Sequence, residues 1–583
     1  MPVTAEPDPA SGEEPSAGGA WPLATGRVPL LYWLRRYQRP WLGRDLAAAA
    51  AVTALIVPKN LGYAEIAGIP VQNGLYAAAA GAILYAIFCT SRHISTGPSS
   101  SLAAVAGGAV AVSGVDAAQA PELVAAIAIG MGLLFLLLAV LRLGWIARFL
   151  SRPVVVGFLA GAAIQVVIGE LPKLTGSPAE GDNSWRELRS WIEHLDQIHW
   201  TTLAVGAVAL GVILGLRFTV PAVPGALVLL AGGLLASWLL DLGAHGVKLV
   251  GDVPRGLPDP AVPSVDLVHD HLALIGVASF ALLLIGFSQT AGDARAFAVR
   301  HRYRVDIDQE SVAQGMANVG AGFLQGMPVT TSLSASSLNE ASGARTPVAT
   351  LGAGVLVVGT LILLAPVFSD LPKAVLAAII IDAVVFGMID LGAFRRLRRV
   401  ARFDFWIAVI AVLAVLSVGV LAGAMVGMAL SLGWLVYVAS SPGVPELGRE
   451  PGRQVFRDLD AHPDGETLPG VIVLRLDGAL FFATADALES RVRDRAERAE
   501  RLDLVILDLV AVDFLDADGS GALARVQELV ADHGARLRLA HVKPAVAAVL
   551  ERDGLLDAIG TGYVHGDIEQ ALLAEQALRA RSS

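Results

Sequence analysis

A run of hydroxyl side chains lies deep in an otherwise apolar part of the chain, between Gly322 and Pro347. Six of them fall between Val329 and Ser337, namely Thr330, Thr331, Ser332, Ser334, Ser336 and Ser337. Pro328, just before them, suits the first turn of a helix because proline has no N–H group to leave unpaired there. The hydroxyls can then cap free backbone donors. Because a helix N-terminus combines open N–H groups with the positive end of the helix dipole, this stretch predicts an anion site.

A second Ser-rich stretch led by proline lies about 230 residues earlier in the chain. There Pro98 precedes three serines, Ser99, Ser100 and Ser101. Each stretch interrupts one hydrophobic half of the chain. Interrupted segments at corresponding places in two halves indicate a transporter site near the middle of the bilayer. The alternative is that both stretches are ordinary helix starts that follow loops.

The composition indicates a membrane protein. Of the 583 residues, 55% are hydrophobic and only 16% are charged, whereas a soluble chain carries roughly 25% charged residues. Apolar runs near the length of about 18 residues that a membrane span requires recur along the chain. The net charge of -10 gives no sign of a nucleic-acid partner. The single cysteine, Cys89, excludes an intrachain disulfide and a four-cysteine zinc site.

The apolar segments fall into two sets of seven. They cover about 45–67, 74–90, 97–113, 121–141, 153–171, 200–217 and 221–241, and then about 270–291, 307–324, 329–342, 346–367, 373–388, 403–421 and 422–440. An odd number of spans in each half gives the halves opposite orientations, so the sequence predicts 14 transmembrane segments arranged as a 7+7 inverted repeat. The third member of each set is the short Ser-rich one, which supports this pairing.

The regions outside the apolar segments complete the predicted organisation. Residues 1–30 are predicted to form a disordered N-terminal segment without a cleaved signal peptide, the transmembrane domain covers 31–440, and a linker covers 441–465. Arginines, Arg217 among them, concentrate in alternate loops, which predicts that both termini are cytoplasmic. The loop at 180–197 has apolar residues at helical spacing and is predicted to be an interfacial helix.

Residues 466–583 have the pattern of a small α/β domain. Strands are predicted at Val471–Leu476, Leu480–Phe482, Leu504–Asp508 and Arg536–Ala540. They alternate with helices predicted at about 485–500, 519–532, 544–553 and 566–580. Strands that alternate with helices over so short a stretch indicate a mostly parallel sheet.

Several motifs resemble those of the SulP family, the sulfate-permease-like anion transporters related to prestin. They are Val57-Pro58, Gly62-Tyr63-Ala64, Ala67-Gly68-Ile69-Pro70, Gly74-Leu75-Tyr76, Thr90-Ser91-Arg92-His93-Ile94-Ser95, Gly97-Pro98, Asp308-Gln309-Glu310 and Gly343-Ala344-Arg345-Thr346-Pro347. The C-terminal α/β region resembles a STAS domain, and the whole match covers about residues 30–570. The resemblance implies core and gate subdomains, an elevator-like motion, dimers, and anions as substrates.

The resemblance also implies a substrate site. In the family the anion lies between the N-termini of the third and tenth helices, against residues of the first and eighth. The matching positions of this chain in helices three and ten are Ser99, Ser100, Ser101, Thr331, Ser332, Leu333 and Ser334. Backbone N–H groups would then make most of the contacts, assisted by the hydroxyls. The alternative for about half of the hydroxyls is that they bond only to their own helix.

Two departures from the family pattern concern positive charge: one is lost from helix ten and one is gained in helix one. Many relatives have Ser-Arg-Ser early in helix ten, where this chain has Ala335 in place of the arginine. Many relatives have Val-Pro-Gln in helix one, where this chain has Lys59 after Pro58. A lone ammonium inside a membrane helix is costly and usually functional. The hypothesis is that Lys59 replaces the missing arginine beside the substrate. The alternatives are that Lys59 snorkels to the interface or pairs with Glu65 or Asp293.

A third departure concerns ion coupling in helix eight. Relatives often have an acid where this chain has Gln289, which cannot titrate. Asp293 lies at i+4 and therefore on the same face of the helix. Asp293 is a candidate coupling carboxylate for Na⁺ or a proton. The alternative is that Asp293 marks the solvated inner end of the helix, near Arg295.

In the STAS-like region the phosphoacceptor position of the family holds Asp518, within Asp516-Ala517-Asp518-Gly519. A phosphorylation switch is therefore expected to be absent or fixed in a negative state. The domain is expected to serve assembly or to contact a cytoplasmic protein partner.

The sequence therefore predicts a secondary active transporter of a small anion, such as bicarbonate, sulfate or a dicarboxylate, coupled to Na⁺ or H⁺. It is expected to lie in the cytoplasmic membrane as a homodimer, with no nucleic-acid partner and no cofactor or metal other than Na⁺ as a coupling ion. Three alternatives stay open: an uncoupled conductor or exchanger, a non-transporting STAS-linked sensor, and a nucleobase transporter. An enzyme is not expected, because no metal cluster, nucleophile elbow or P-loop is found.

Overall fold

The computed structural model describes residues 28–142, 152–181, 183–220 and 223–582. Residues 1–27 of the predicted disordered segment lie outside the described residues. The chain divides between Ser431 and Leu432 into two compact units.

Helices make up almost all of the first unit. They are α1 (Pro29–Arg35), α2 (Arg39–Ile66), α3 (Val71–Phe88), α4 (Ser100–Ser113), α5 (Ala120–Val140), α6 (Arg152–Thr175), α7 (Ser184–Glu193), α8 (Trp200–Thr219), α9 (Gly225–Leu240), α10 (Val265–Asp270), α11 (Leu272–His301), α12 (Ile307–Phe323), α13 (Leu333–Ala341), α14 (Val348–Leu363), α15 (Lys373–Met388), α16 (Leu391–Val400), α17 (Arg402–Val418) and α18 (Val420–Ala439), the last of which crosses the division. Helix α7 lies where the sequence predicts an interfacial helix.

Each of the fourteen predicted apolar segments contains one of these helices. By length and composition, 8 of the described helices can cross a membrane when α15 and α16 are taken as one run, and α4, α9 and α14 are shorter apolar helices. Helix α13 is shorter than these helices. It is also more polar, because serine and asparagine occupy much of its length. The number of spans, 14, stays a prediction.

The helices of the first unit pack as two groups. In the first group α3 packs against α12 and α14, and α5 packs against α11 and α12. In the second group α6 packs against α15 and α17, and α8 packs against α15 and α9. Helix α2 contacts both groups. We call the groups the core group (α2–α5 and α11–α14) and the gate group (α6, α8, α9, α15, α17 and α18), after the subdomains that the resemblance implies.

Close contacts between helices depend on small residues. Gly157 in α6 faces the backbone of Ala408 in α17, and a Cβ added at Gly157 would overlap the carbonyl oxygen of Ala408. Such small residues allow helix backbones to approach closely where the hydrophobic effect gives little drive for association.

A short antiparallel pairing crosses the interior of the core group. Strand β1 (Thr96–Gly97) pairs with β2 (Thr330–Thr331), with Thr96 opposite Thr331. The pairing continues through Ser332, whose N–H donates to the carbonyl oxygen of Ser95 at 3.0 Å. Because β1 leads into α4 and β2 leads into α13, this pairing brings the N-termini of both helices to one place.

Buried carboxylates fasten the loops around this crossing. Glu310, which has no exposed surface, accepts hydrogen bonds from the Thr90 N–H at 2.8 Å, the Thr90 hydroxyl at 2.6 Å and the Ser91 N–H at 2.9 Å, and a further one from the Tyr85 hydroxyl. Asp45 in α2 similarly accepts from the Thr346 hydroxyl at 2.7 Å. These motif residues are therefore structural in this chain: they hold the loops that present α4 and α13.

The second unit contains a four-stranded parallel sheet. Its strands are β5 (Val471–Arg475), β6 (Leu504–Asp508), β7 (Arg536–Ala540) and β8 (Val564–His565), in the order β5-β6-β7-β8. A separate antiparallel pair, β3 (Leu447–Arg449) and β4 (Phe456–Asp458), lies within the range predicted as a linker. The helices are α19 (Ala485–Arg498), α20 (Ala517–Asp532), α21 (Pro544–Arg552), α22 (Leu555–Ile559) and α23 (Ile568–Ser582).

The strand predicted at Leu480–Phe482 is wrong. Leu480 makes only an isolated bridge with Leu515. The chain turns immediately afterwards, because the Thr484 hydroxyl donates to the carbonyl oxygen of Ala479 at 2.9 Å and accepts from the Phe481 N–H at 3.0 Å. This turn directs the backbone into α19 and leaves no length for a strand.

A buried ion pair lies between β7 and α23. The Arg538 side chain has no exposed surface, and its Nη2 lies 3.1 Å from Oε2 of Glu575. Arg538 Nη1 lies 2.8 Å from Nε2 of His565, and the guanidinium stacks 4.7 Å from the centre of the Tyr563 ring. Burial, and then the Arg538 charge, lower the pKa of His565 from its ordinary value.

Candidate functional site

A cavity of about 610 Å³ lies where helices of the core group meet helices of the gate group. Ten residues predicted from the sequence to bind the substrate or the coupling ion line it, namely Lys59, Ser99, Ser100, Ser101, Gln289, Asp293, Thr331, Ser332, Leu333 and Ser334. The β1–β2 crossing accounts for this convergence, since residues about 230 positions apart in the chain reach the same cavity through it.

The N-terminus of α4 presents capped serines to the cavity. Ser99 is the N-cap, and its hydroxyl accepts from the Leu102 N–H at 3.4 Å. Gln289 Nε2 donates to the Ser101 hydroxyl at 3.2 Å, which ties α11 to α4. The first-turn N–H groups of Ser100 and Ser101 have no acceptor within their own helix. These N–H groups can therefore bind an anion.

Helix α13 begins in the same way on the opposite side of the crossing. Ser332 is its N-cap and accepts from the Ala335 N–H at 3.4 Å, and the Ser332 and Ser334 hydroxyls are 3.3 Å apart. Thr330 and Ser336 instead have structural roles, because Thr330 donates to the Gly286 carbonyl at 3.2 Å and Ser336 accepts from the Ser95 N–H at 2.9 Å. Some of the predicted hydroxyls thus serve only the fold.

Asp293 lies well inside α11, which continues to His301. It is partly buried, and the Thr331 hydroxyl donates to its Oδ2 at 2.8 Å. This placement does not fit a solvated helix end, the alternative considered from the sequence. Asp293 is instead connected through Thr331 to the residues that precede α13.

Lys59 lies in α2 directly after Pro58 and lines the cavity. Within the described residues it makes no ion pair: Glu65 pairs with Lys173 at 2.9 Å, and Asp293 bonds to Thr331. Neither pairing alternative from the sequence is therefore found. The charged groups that act on Lys59 electrostatically lie on the gate group and are Asp382 and Arg217.

Arg217 and Asp382 were missed as site residues. The sequence analysis assigned Arg217 to an inner loop, but it lies in the last turn of α8 and lines the cavity. Its Nε and Nη2 each lie 2.7 Å from one carboxylate oxygen of Asp382 in α15. Asp382 stands alone in an apolar run, and an ionisable residue in such a run is by itself a sign of function. That sign could have identified the pair.

The cavity lining is of mixed charge, because Arg217 is paired with Asp382 and Asp293 lies in the same cavity. Among the described lining residues, Lys59 and Arg217 are cations and Asp293 is the anion. The N-termini of α4 and α13 add two positive dipole ends. Lys59, the open N–H groups and several hydroxyls suit a small anion.

Known proteins resemble this chain along most of its length. The sequence pattern of the sulfate permease family matches residues 42–411, and that of the STAS domain matches residues 462–571. A protein described as a probable sulfate transporter from Mycobacterium tuberculosis is 31% identical over 560 residues, which cover 96% of this chain and 99% of the relative. The probable sulfate transporter 4.2 of Arabidopsis thaliana is 29% identical over 567 residues, which cover 93% of this chain and 83% of the relative.

Among solved structures, murine Solute Carrier 26 family member A9, described as an anion transporter in the inward-facing state, shares the fold. The TM-score is 0.86 at 21% sequence identity, and the match covers 97% of each chain. The relatives are transporters rather than enzymes. The chain therefore belongs to the sulfate permease family of anion transporters, and its helical membrane unit is followed by a STAS domain.

Proposed function

We propose that this chain is a secondary active transporter of a small oxyanion, with sulfate as the leading substrate and bicarbonate or a dicarboxylate as alternatives. The observation that carries the proposal is the β1–β2 crossing, which aims the N-termini of α4 and α13 at one cavity that also holds Lys59. The names of the two relatives support sulfate.

Asp293 is the proposed coupling residue. As an ionised carboxylate in the same cavity, it repels an anion and weakens its binding. Na⁺ or a proton at Asp293 removes that repulsion, so the cation and the anion bind with positive coupling. The Thr331 hydroxyl, 2.8 Å from Asp293 Oδ2, connects cation binding at Asp293 to the N-terminal region of α13.

The proposed transport motion is an elevator-type displacement of the core group against the gate group. The cavity lies at the boundary of these groups, and residues from both line it. We further propose a homodimer in the cytoplasmic membrane, with both termini in the cytoplasm. The four arginines of α16, Arg395, Arg396, Arg398 and Arg399, support this orientation through the positive-inside rule.

The proposed role of the STAS domain is assembly or contact with a cytoplasmic protein rather than phosphorylation-dependent switching. Asp518 occupies the position of the phosphoacceptor. The neighbouring Ser520 is fully buried, and its hydroxyl donates to Asp553 at 2.6 Å. Ser520 is therefore inaccessible to a kinase in the folded domain.

The test is uptake of labelled sulfate, bicarbonate and fumarate into proteoliposomes under an imposed Na⁺ gradient and, separately, under a pH gradient. Accumulation driven by one gradient identifies both the anion and the coupling ion. Equilibration without accumulation in every condition contradicts coupled transport. It favours an uncoupled exchanger or conductor, an alternative that the non-titrating Gln289 already suggests.

A further inference from the structure

The gate side of the cavity carries a cation whose donors are only partly used. Two of the three guanidinium nitrogens of Arg217, Nε and Nη2, bond to Asp382. Within the described part of the chain, Nη1 has no hydrogen-bond partner. The Arg217 side chain is 37% exposed and the Asp382 side chain only 8%. An open donor on a partly exposed guanidinium is available to a ligand in the cavity.

Arg217 and Asp382 differ in their access to the cavity. Arg217 lines the cavity, whereas the more deeply buried Asp382 is not among the described lining residues. The ring of Phe386, which lines the same cavity, stacks 4.2 Å from the guanidinium carbon. A bidentate carboxylate and a stacked ring together fix the plane of the guanidinium. The free edge is thus preorganised, and little entropy is lost when it binds a ligand.

We propose that Arg217 is a substrate-binding residue on the gate side and that Asp382 positions it. Arg217 donates to two oxygens of an oxyanion through its open edge, which consists of Nη1 and the second N–H of Nη2, whereas the first-turn N–H groups of α4 and α13 bind the other oxygens from the core side. This inference rests on the proposed function and supplies a source of selectivity. A guanidinium edge matches the paired oxygens of sulfate, bicarbonate or a carboxylate, whereas a halide offers a single centre and gains less from that geometry.

The competing interpretation is that the pair only fastens α8 to α15. Arg217→Gln alone does not separate the two, because it leaves Asp382 buried without a partner and destabilises the protein. The informative variant is Arg217→Gln combined with Asp382→Asn, which removes both charges and leaves no orphaned ion. Arg217→Lys is the second variant, because it keeps the charge and removes the planar fork. The matched control is Arg189→Gln, which breaks the exposed Arg189–Glu193 pair outside the cavity.

The experiment measures dissociation constants of sulfate, bicarbonate and chloride for the purified full-length chain by calorimetry, with unfolding temperatures recorded without anion. In the double variant we expect the oxyanion dissociation constant to rise about tenfold to a hundredfold, as the loss of a charge-assisted hydrogen bond predicts. In Arg217→Lys we expect a lower oxyanion-to-chloride ratio. We expect no change in Arg189→Gln.

Equal oxyanion affinity in the wild type and the folded double variant overturns the inference, as does binding of none of the three anions by the wild type. A wild type that binds an oxyanion through Arg217 but shows no gradient-driven accumulation contradicts the proposed symport and leaves this inference intact. The experiments can therefore contradict the binding role of Arg217 without contradicting the proposed symport, and the reverse.

Discussion

Replacing Lys59 by glutamine tests the charge at the centre of the proposed site. Glutamine keeps the length of the side chain approximately and removes the positive charge. Lys59 makes no ion pair within the described residues, so the substitution leaves no carboxylate without a partner. Lys59→Gln should therefore change anion binding far more than it changes stability.

The magnitude follows from the interaction that is lost. A hydrogen bond to a charged group contributes about 1.5–3 kcal/mol, which corresponds to roughly a tenfold to 150-fold rise in the dissociation constant. The lower end is the more reasonable expectation, because Arg217 and the N-termini of α4 and α13 still face the cavity. Lys59→Arg should retain most of the affinity, since it keeps the charge.

The assay is the concentration dependence of sulfate uptake in proteoliposomes, together with the unfolding temperature of the purified variant. We expect KM to rise and the unfolding temperature to change little. A Lys59→Gln variant with wild-type KM would refute the assignment of Lys59 to the substrate. A large loss of stability would contradict the conclusion that the ammonium is unpaired.

Three further predictions address coupling and the STAS domain. Asp293→Asn should abolish gradient-driven accumulation but retain anion exchange, because the neutral amide mimics the cation-loaded carboxyl; uptake with and without a gradient measures both. Glu575→Ala should lower the stability of the STAS domain by about 3–5 kcal/mol, because it leaves Arg538 buried without its carboxylate; hydrogen exchange of β7 in the full-length chain reports the change. The stability of the STAS domain should also fall as the pH decreases below about 6.5. Since the folded state lowers the pKa of His565, the unfolded state binds more protons in that range, and the fold is most stable above it.

Each of these three predictions has its own control. Persistent accumulation by Asp293→Asn would remove that residue from coupling. Glu569→Ala, on the same helix as Glu575, breaks an ion pair that is 20–29% exposed and should cost no more than about 1 kcal/mol; an equal loss in both variants would contradict the argument from burial. For the pH dependence, His565→Gln should flatten the slope, and an unchanged slope would assign it to other groups.

Local patterns in the sequence were sufficient for much of the architecture. Long apolar runs have few stable alternatives to membrane helices, because every backbone group must be paired within hydrocarbon. Each of the fourteen predicted segments accordingly contains a helix. The parallel strands β5, β6 and β7 were predicted for a similar reason, since they read as short buried runs between amphipathic helices. The short β8 was missed because two residues carry no periodicity.

Residues that are proposed to bind the substrate were also identified from local chemistry. Serines after a proline indicated two helix starts, and Ser99 and Ser332 are N-caps in the structure. The placement of Pro328 in the first turn is wrong, because Pro328 precedes β2 and α13 begins only at Leu333. The same pattern could not separate cavity-facing hydroxyls from structural ones. Ser336 differs from Ser334 only in its direction, and that direction is set by the packing of α13 against Ser95.

The sequence by itself determined that this is a multi-helix membrane protein, because hydrophobicity and helix capping act over a few turns. Its motifs indicated the sulfate permease family by resemblance. Only the tertiary structure decided which charges share the cavity. Arg217 and Asp382 are 165 positions apart and meet because α8 packs against α15. Within the part of the chain that the structure describes, Lys59 has no ion-pair partner, and Glu65 bonds instead to Lys173 on another helix. Such pairings depend on distances between helices, and no local pattern encodes them.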